Sequence, residues 1–304
     1  MSRNGEILVH RLYLYLTLLR PFTLLAPLIV SSSVILASYV SSYTTDAPLV
    51  SLLCMIVSAS FCFALLNGAS NVLNQATDWK EDAVSKPYRL IPRGIITSKG
   101  AFQLSFFLYL GAFLLSLTIH FLFCAFISLI AFFSITYSVA PRMKKYLLLN
   151  QLWVALPRGL LGILGSWSVF GNPFEPLPIA IGCVAALFLF GGTTTKDILD
   201  AEADRTVGTR TLVNVYGLKT ASIFSLVFMV SAFCLILPLI YVNILPADVF
   251  PLAFLSLFSI LIGWLMYRSH KNTKTENTSA WTVMYTTYFL FALSFAMITI
   301  FSSV

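Results

Sequence analysis

Of the 12 acidic residues in this chain, seven fall in two short polar stretches. Asp78, Glu81 and Asp82 stand in NVLNQATDWKED, and Asp197, Asp200, Glu202 and Asp204 in KDILDAEAD. On a helix at 100° per residue, Asn67, Asn71, Asn74, Asp78 and Asp82 share an arc of about 80°, and Asp197, Asp200 and Asp204 one of about 60°. Carboxylates held on one face repel one another unless a cation neutralises them. Oxygen ligands from two such faces suit Mg²⁺ or Ca²⁺ rather than softer metals. Mg²⁺ takes few protein carboxylates and completes its octahedron with water and substrate phosphate, so the pattern points to a phosphorylated substrate. Lys80, Lys86, Arg89, Arg93, Arg142, Lys144 and Lys145 lie in polar stretches close to the first cluster or between the two. They supply donors for the phosphate oxygens that a metal leaves free.

The elements that carry these residues are membrane helices. The chain of 304 residues is 58% hydrophobic and 10% charged, with a mean hydropathy of +0.88, outside the range of soluble domains. Apolar runs long enough to cross a hydrocarbon core lie near 12–40, 48–74, 101–119, 121–139, 147–170, 177–195, 218–242, 247–267 and 279–303. The run through 101–139 is too long for one span and divides at a tight turn near His120. The first apolar run exceeds a signal-peptide core and reads as a retained helix. The expectation is an all-α integral membrane protein: nine transmembrane helices around a central cavity, forming one domain over 1–304.

Charge placement sets the orientation. With the N-terminus cytoplasmic, all 19 Lys and Arg residues fall in the inner segments 1–11, 75–100, 140–146, 196–217 and 268–278, or on the inner half of a span, as Arg20 and Arg158 do. The outer loops carry only Asp46, Glu175 and Asp248. The net charge of +7 is therefore topological, suits contact with anionic lipid, and gives no reason to expect nucleic acid as a partner. The five cysteines lie in apolar spans without CxxC spacing, and His10, His120 and His270 are scattered, so neither a disulfide framework nor a thiolate or histidine metal site is expected. Asp78 and Asp82 recur as Asp200 and Asp204 four spans later, which suggests a pseudo-repeat of 12–139 and 147–267 followed by a ninth helix, 279–303.

These motifs resemble those of the UbiA superfamily of intramembrane prenyltransferases. The resemblance rests on Asn74-x3-Asp78-x3-Asp82 followed by Pro87, Arg89, Pro92 and Gly94, and on Asp197-x2-Asp200-x3-Asp204 followed by Gly208, Thr211 and Leu212. LRPFTLL, with Arg20 and Pro21, and YSVAPRMK, with Tyr137, Pro141, Arg142 and Lys144, extend it over nearly the whole chain. The sequence departs from the family pattern at Gln75, Leu90, Ala203 and Val213, none of them an expected metal ligand.

The resemblance implies Mg²⁺-dependent transfer of a prenyl group from an allylic isoprenyl diphosphate to an aromatic or other lipid-soluble acceptor. It implies that Asn74, Asp78, Asp82, Asp197, Asp200 and Asp204 hold Mg²⁺. Arg20, Arg89, Arg142 and Lys144 would bind the diphosphate, with Tyr137 and Lys144 among the catalytic residues. The enzyme would be a multi-pass protein of the cell membrane with its active site on the cytoplasmic side. YSxxP…K is similar to the chlorophyll-synthase branch and NxLN to archaeal lipid-forming members, so quinone precursors, a tetrapyrrole, haem and a glycerol phosphate ether all stay open as acceptors. The rival class is a secondary transporter or cation channel. Its ionisable residues should lie near the bilayer midplane, whereas these gather at one end of the spans.

Overall fold

The computed structural model describes residues 12–42, 48–268 and 278–302. His10, His270, Asp46, the 1–11 segment expected inside and most of 268–278 lie outside the described residues. The described residues are helical with no strand, as the apolar periods require. Backbone groups have no water to bond in a hydrocarbon core, so a helix that satisfies them internally is the available solution.

Eight helices are long and apolar enough to cross a membrane: Pro21–Ser42, Leu49–Thr77, Ser98–Leu117, Phe121–Ser138, Pro176–Glu202, Leu212–Tyr241, Ala247–Arg268 and Ser279–Ser302. The remaining expected span, 147–170, does not join that set. It is helical from Leu149 to Trp167, but in three pieces, with a π-turn over Leu156–Leu160 between α-helices Leu149–Ala155 and Leu161–Trp167. Pro157 has no N–H to give to the turn before it, and the backbone widens there instead of continuing as an α-helix.

Two further expectations of unbroken helix fail next to the polar stretches. The first run is interrupted at Arg20, whose φ of 55° ends a helix at 12–18 before Pro21–Ser42 begins. The carbonyls freed by this break are capped from the neighbouring helix. Gln75 Nε2 donates to Leu18 O at 2.7 Å and Asn71 Nδ2 to Leu19 O at 2.9 Å. Asn67 Nδ2 donates to Thr23 O at 3.1 Å, the carbonyl that Pro27, having no N–H, leaves free within Pro21–Ser42. The asparagine stripe thus serves the helix pair first. Helix Leu49–Thr77 stops at Asp78, and the chain resumes as the short helix Trp79–Ser85, so Asp78 and Asp82 sit on two segments rather than one. The tight turn expected at His120 is present, with the imidazole Nδ1 accepting from Leu122 N at 3.2 Å as the cap of Phe121–Ser138.

Large side chains such as Phe107 and Phe121 point outwards from the bundle, while small residues mediate close helix approach. At Gly159 a Cβ atom would fall 2.4 Å from Ala186 Cα, so the broken helix lies directly on the backbone of Pro176–Gly192. Gly208, with φ +72°, turns the chain after helix Thr194–Thr206, and Thr211 then caps Leu212–Cys234 in a capping box with Asn214. Arg210 N donates to Lys145 O at 3.0 Å, which ties this turn to the loop following Phe121–Ser138. The polar stretches are thereby gathered at one end of the bundle.

Candidate active site

Both aspartate clusters open into one cavity of about 310 Å³. Asn74, Asp78 and Asp82 line it from one side and Asp197, Asp200 and Asp204, on helix Thr194–Thr206, from another. Arg20, Arg89, Tyr137 and Lys144 line the same space. Arg142 is the exception among the residues expected at the site. It stands behind Asp78, its Nη2 donating to Asp78 Oδ1 at 2.8 Å and to Glu81 Oε1 at 3.0 Å.

The cations expected on phosphate rest on the carboxylates. Lys144 pairs with Asp78, and Lys86 pairs with Asp200, bridging the two clusters. Arg89 Nη1 lies 2.9 and 2.8 Å from the two oxygens of Asp82, with both side chains buried. Lys196 Nζ lies 2.6 Å from Asp197 Oδ1. Groups shielded from water neutralise one another in this way because an unpaired buried charge is costly. Burial still dominates at several of them. It pushes the Asp82 carboxyl above the usual carboxylate range despite Arg89, and the Lys144 ammonium below its usual value despite Asp78. Asp204, with no cation within ion-pairing distance among the described residues, is pushed up to about 7 by burial and then by Asp197 and Asp200.

Among the described residues no three Asp, Glu, His or Cys side chains converge tightly enough to grip a metal ion by themselves. The oxygen donors are instead divided between two sides of one cavity, with ammonium and guanidinium groups on them. That arrangement fits a hard divalent cation that takes one or two carboxylates from the protein and the rest of its shell from water and phosphate. The elevated Asp204 is a carboxylate short of positive charge, which a divalent cation would supply.

Several residues here carry a signal that the motifs did not use. Asn150 is a buried amide in the span 147–170: its Nδ2 donates to Asp197 Oδ2 at 3.1 Å, and its Oδ1 accepts from Tyr137 Oη at 2.9 Å and Lys196 Nζ at 3.2 Å. Tyr137 is thus a hydrogen-bonded member of the site. Lys196 precedes Asp197 and lies one turn before Asp200, a position that a helical projection places on the same face. Beyond the charged end the cavity is walled by Pro27, Val30, Phe63, Ile130, Leu189 and Met284, with Arg158, Trp281, Tyr285 and Tyr288 set among them. The chamber is therefore ionic at one end and mainly apolar and aromatic beyond it.

Comparison with known proteins adds the following. The family model described as UbiA prenyltransferase family matches residues 13–300. A digeranylgeranylglyceryl phosphate synthase of Methanobrevibacter smithii is 28% identical over 274 residues, covering 86% of this chain and 90% of that protein. A structure of a UbiA homolog from Archaeoglobus fulgidus bound to GPP and Mg²⁺ superposes with a TM-score of 0.68 at 18% identity, over 95% of this chain and 99% of that one. A structure described as giving insights into digeranylgeranylglyceryl phosphate synthase in membranes superposes with a TM-score of 0.65 at 21% identity, over 96% and 99% of the two chains.

Proposed function

The chain belongs to the UbiA prenyltransferase family, and from that premise we propose that it transfers a prenyl group from an allylic isoprenyl diphosphate to the free hydroxyl of an isoprenylglyceryl phosphate ether. The donor class is supported by the ionic end of the cavity, and the acceptor by the names of relatives such as the Methanobrevibacter smithii protein. The observation that carries the reading is the meeting of both aspartate clusters, with lysine and arginine, at the mouth of a mainly apolar chamber. A diphosphate joined to an isoprenoid tail has those two natures in that order.

In this reading Asn74, Asp78 and Asp82 on one side and Asp197, Asp200 and Asp204 on the other hold Mg²⁺. Bound Mg²⁺ neutralises charge on the diphosphate and makes it a better leaving group. With Mg²⁺ on the carboxylates, Lys144, Lys86 and Arg89 would be free to donate to the phosphate oxygens. Arg20 reaches the same oxygens from the helix break, and Arg142 holds Asp78 in place from behind. Tyr137 and Asn150 orient Asp197 through the hydrogen bonds described above. The apolar walls hold the tail and keep water from the reacting carbon.

The C1–O bond breaks with its electron pair on the diphosphate. The acceptor hydroxyl then supplies the pair for the new C–O bond and gives up its proton to the departing diphosphate. The active site faces the cytoplasm, where the positive-inside pattern places the charged loops. A midplane transporter is disfavoured by the position of the carboxylates at one end of the spans.

The test is product formation by purified protein in lipid nanodiscs given geranylgeranyl diphosphate, Mg²⁺ and geranylgeranylglyceryl phosphate. The expected product is the diether phosphate, identified by mass spectrometry. Turnover with an aromatic acceptor but none with the ether would overturn the acceptor assignment, and no diphosphate release with any acceptor would overturn the whole reading.

A further inference from the structure

Arg158 is a permanent charge within the broken helix. It lies in the π-turn Leu156–Leu160, eight residues beyond Asn150, or about 12 Å along the helix from the level at which Asn150 touches Asp197. Gly159 presses its side of the turn onto Ala186, and Arg158 lines the cavity. Pro27, Val30 and Met284 line the same cavity.

Unlike Lys86, Arg89, Lys144 and Lys196, Arg158 has no carboxylate within ion-pairing distance among the described residues. One guanidinium nitrogen, Nη1, reaches Tyr285 Oη at 3.3 Å. Tyr288 Oη donates to the Arg158 carbonyl at 2.8 Å, which fixes the backbone of the turn to helix Ser279–Ser302. A guanidinium offers five N–H donors in a planar fork and cannot shed its charge, so most of this fork is available to a ligand. Ionisable groups at membrane depth are costly and mark sites of function.

A cation facing the chamber also opposes the formation of an allylic cation inside it, unless an anion is bound to the guanidinium. The fork, the chamber and this charge requirement point to the same ligand. We infer that Arg158, assisted by the Tyr285 hydroxyl, binds an oxyanion carried by the prenyl acceptor, and is the residue by which the enzyme selects acidic acceptors. The inference rests on the prenyl-transfer reading of the ionic end. It assigns to the far end a second anion subsite, distinct from that of the donor diphosphate. Two sources share the chemistry, the phosphate of a glycerol ether and the carboxylate of an aromatic acid.

Direct binding separates them without relying on turnover. Affinities of geranylgeranylglyceryl phosphate, its dephosphorylated alcohol, 4-hydroxybenzoate, phenol and a non-reactive donor thiodiphosphate are measured by calorimetry in nanodiscs, for the wild type, Arg158→Gln and Tyr285→Phe. The wild type is expected to bind one acidic ligand at least about tenfold more tightly than its neutral counterpart, the alcohol for the phosphate or phenol for the acid. Arg158→Gln is expected to abolish that preference while moving donor affinity less than about twofold, and Tyr285→Phe, which removes one hydroxyl, to reduce it about threefold.

If the aromatic acid rather than the ether phosphate shows the Arg158 dependence, the inference stands and the ether assignment fails. If the wild type binds the ether phosphate through Arg158 but transfers nothing to it, the reaction reading fails alone. An unchanged acid preference in both variants, or equal losses for acidic and neutral ligands, overturns the inference.

Discussion

Asp204 is a carboxylate with acidic neighbours and no cation within ion-pairing distance among the described residues. Its carboxyl is pushed up to about 7 by burial and by its acidic neighbours. An acid whose folded-state pKa exceeds its unfolded value, near 4, costs stability progressively as pH rises through that interval and retains the full cost above it. Asp204→Asn is therefore expected to melt higher than wild type at pH 8 in the presence of EDTA, with the difference vanishing towards pH 4. The same substitution is expected to lower kcat/KM by about 10²–10³-fold, since it removes a donor to the leaving-group electrostatics. A carboxylate kept for packing would give the opposite pair of results, a lower melting temperature and unchanged turnover. At Arg89 the signs coincide. Removing the guanidinium leaves Asp82 buried and unpaired, and Arg89→Ala is expected to cost about 3 kcal/mol in denaturant unfolding.

At the scale of elements, the apolar runs and the turn at His120 could be read from residue order because hydrocarbon thickness sets span length. The breaks could not. The interruption at Arg20 depends on amides supplied by Asn71 and Gln75 from another helix, and a linear pattern does not show which carbonyls a side chain caps. The asparagines share the arc of the aspartate stripe, whereas Asn67 and Asn71 donate to Thr23 and Leu19 of the first helix pair. The π-turn has a local cause in Pro157, yet its register is completed by Gly159 lying on Ala186. Of the site, the two aspartate sets were legible because 3.6-residue periodicity is a property of the chain alone. Asn150, Lys196 and Arg158 were not assigned, since their roles come from contacts between helices. Two predictions belong here. Gln75→Leu should strand the Leu18 carbonyl and destabilise the protein by about 1–3 kcal/mol in reversible unfolding, with Gln75→Glu failing to rescue it, because a carboxylate offers no donor. Gly159→Leu should be worse than Gly159→Ala, both lowering the melting temperature as the broken helix is driven off Pro176–Gly192.

For the whole molecule, the bundle brings two distant, mutually repelling clusters to one mouth and backs that mouth with an apolar chamber. Lys86 on Asp200 and Lys144 on Asp78 hold the charges together. Metal and diphosphate would replace both kinds of partner at once. Chelation by EDTA is accordingly expected to abolish transfer, and Mg²⁺ to restore it, with the protein remaining folded throughout by circular dichroism. The central claim is that the two clusters form one metal-diphosphate site. Its most direct test is calorimetric binding of geranylgeranyl S-thiolodiphosphate, with and without Mg²⁺, to wild type, Asp82→Asn and Asp200→Asn. Mg²⁺-dependent binding to the wild type is expected, weakening at least about tenfold in each variant. Metal-independent binding, or a variant in either cluster that binds like wild type, would contradict it.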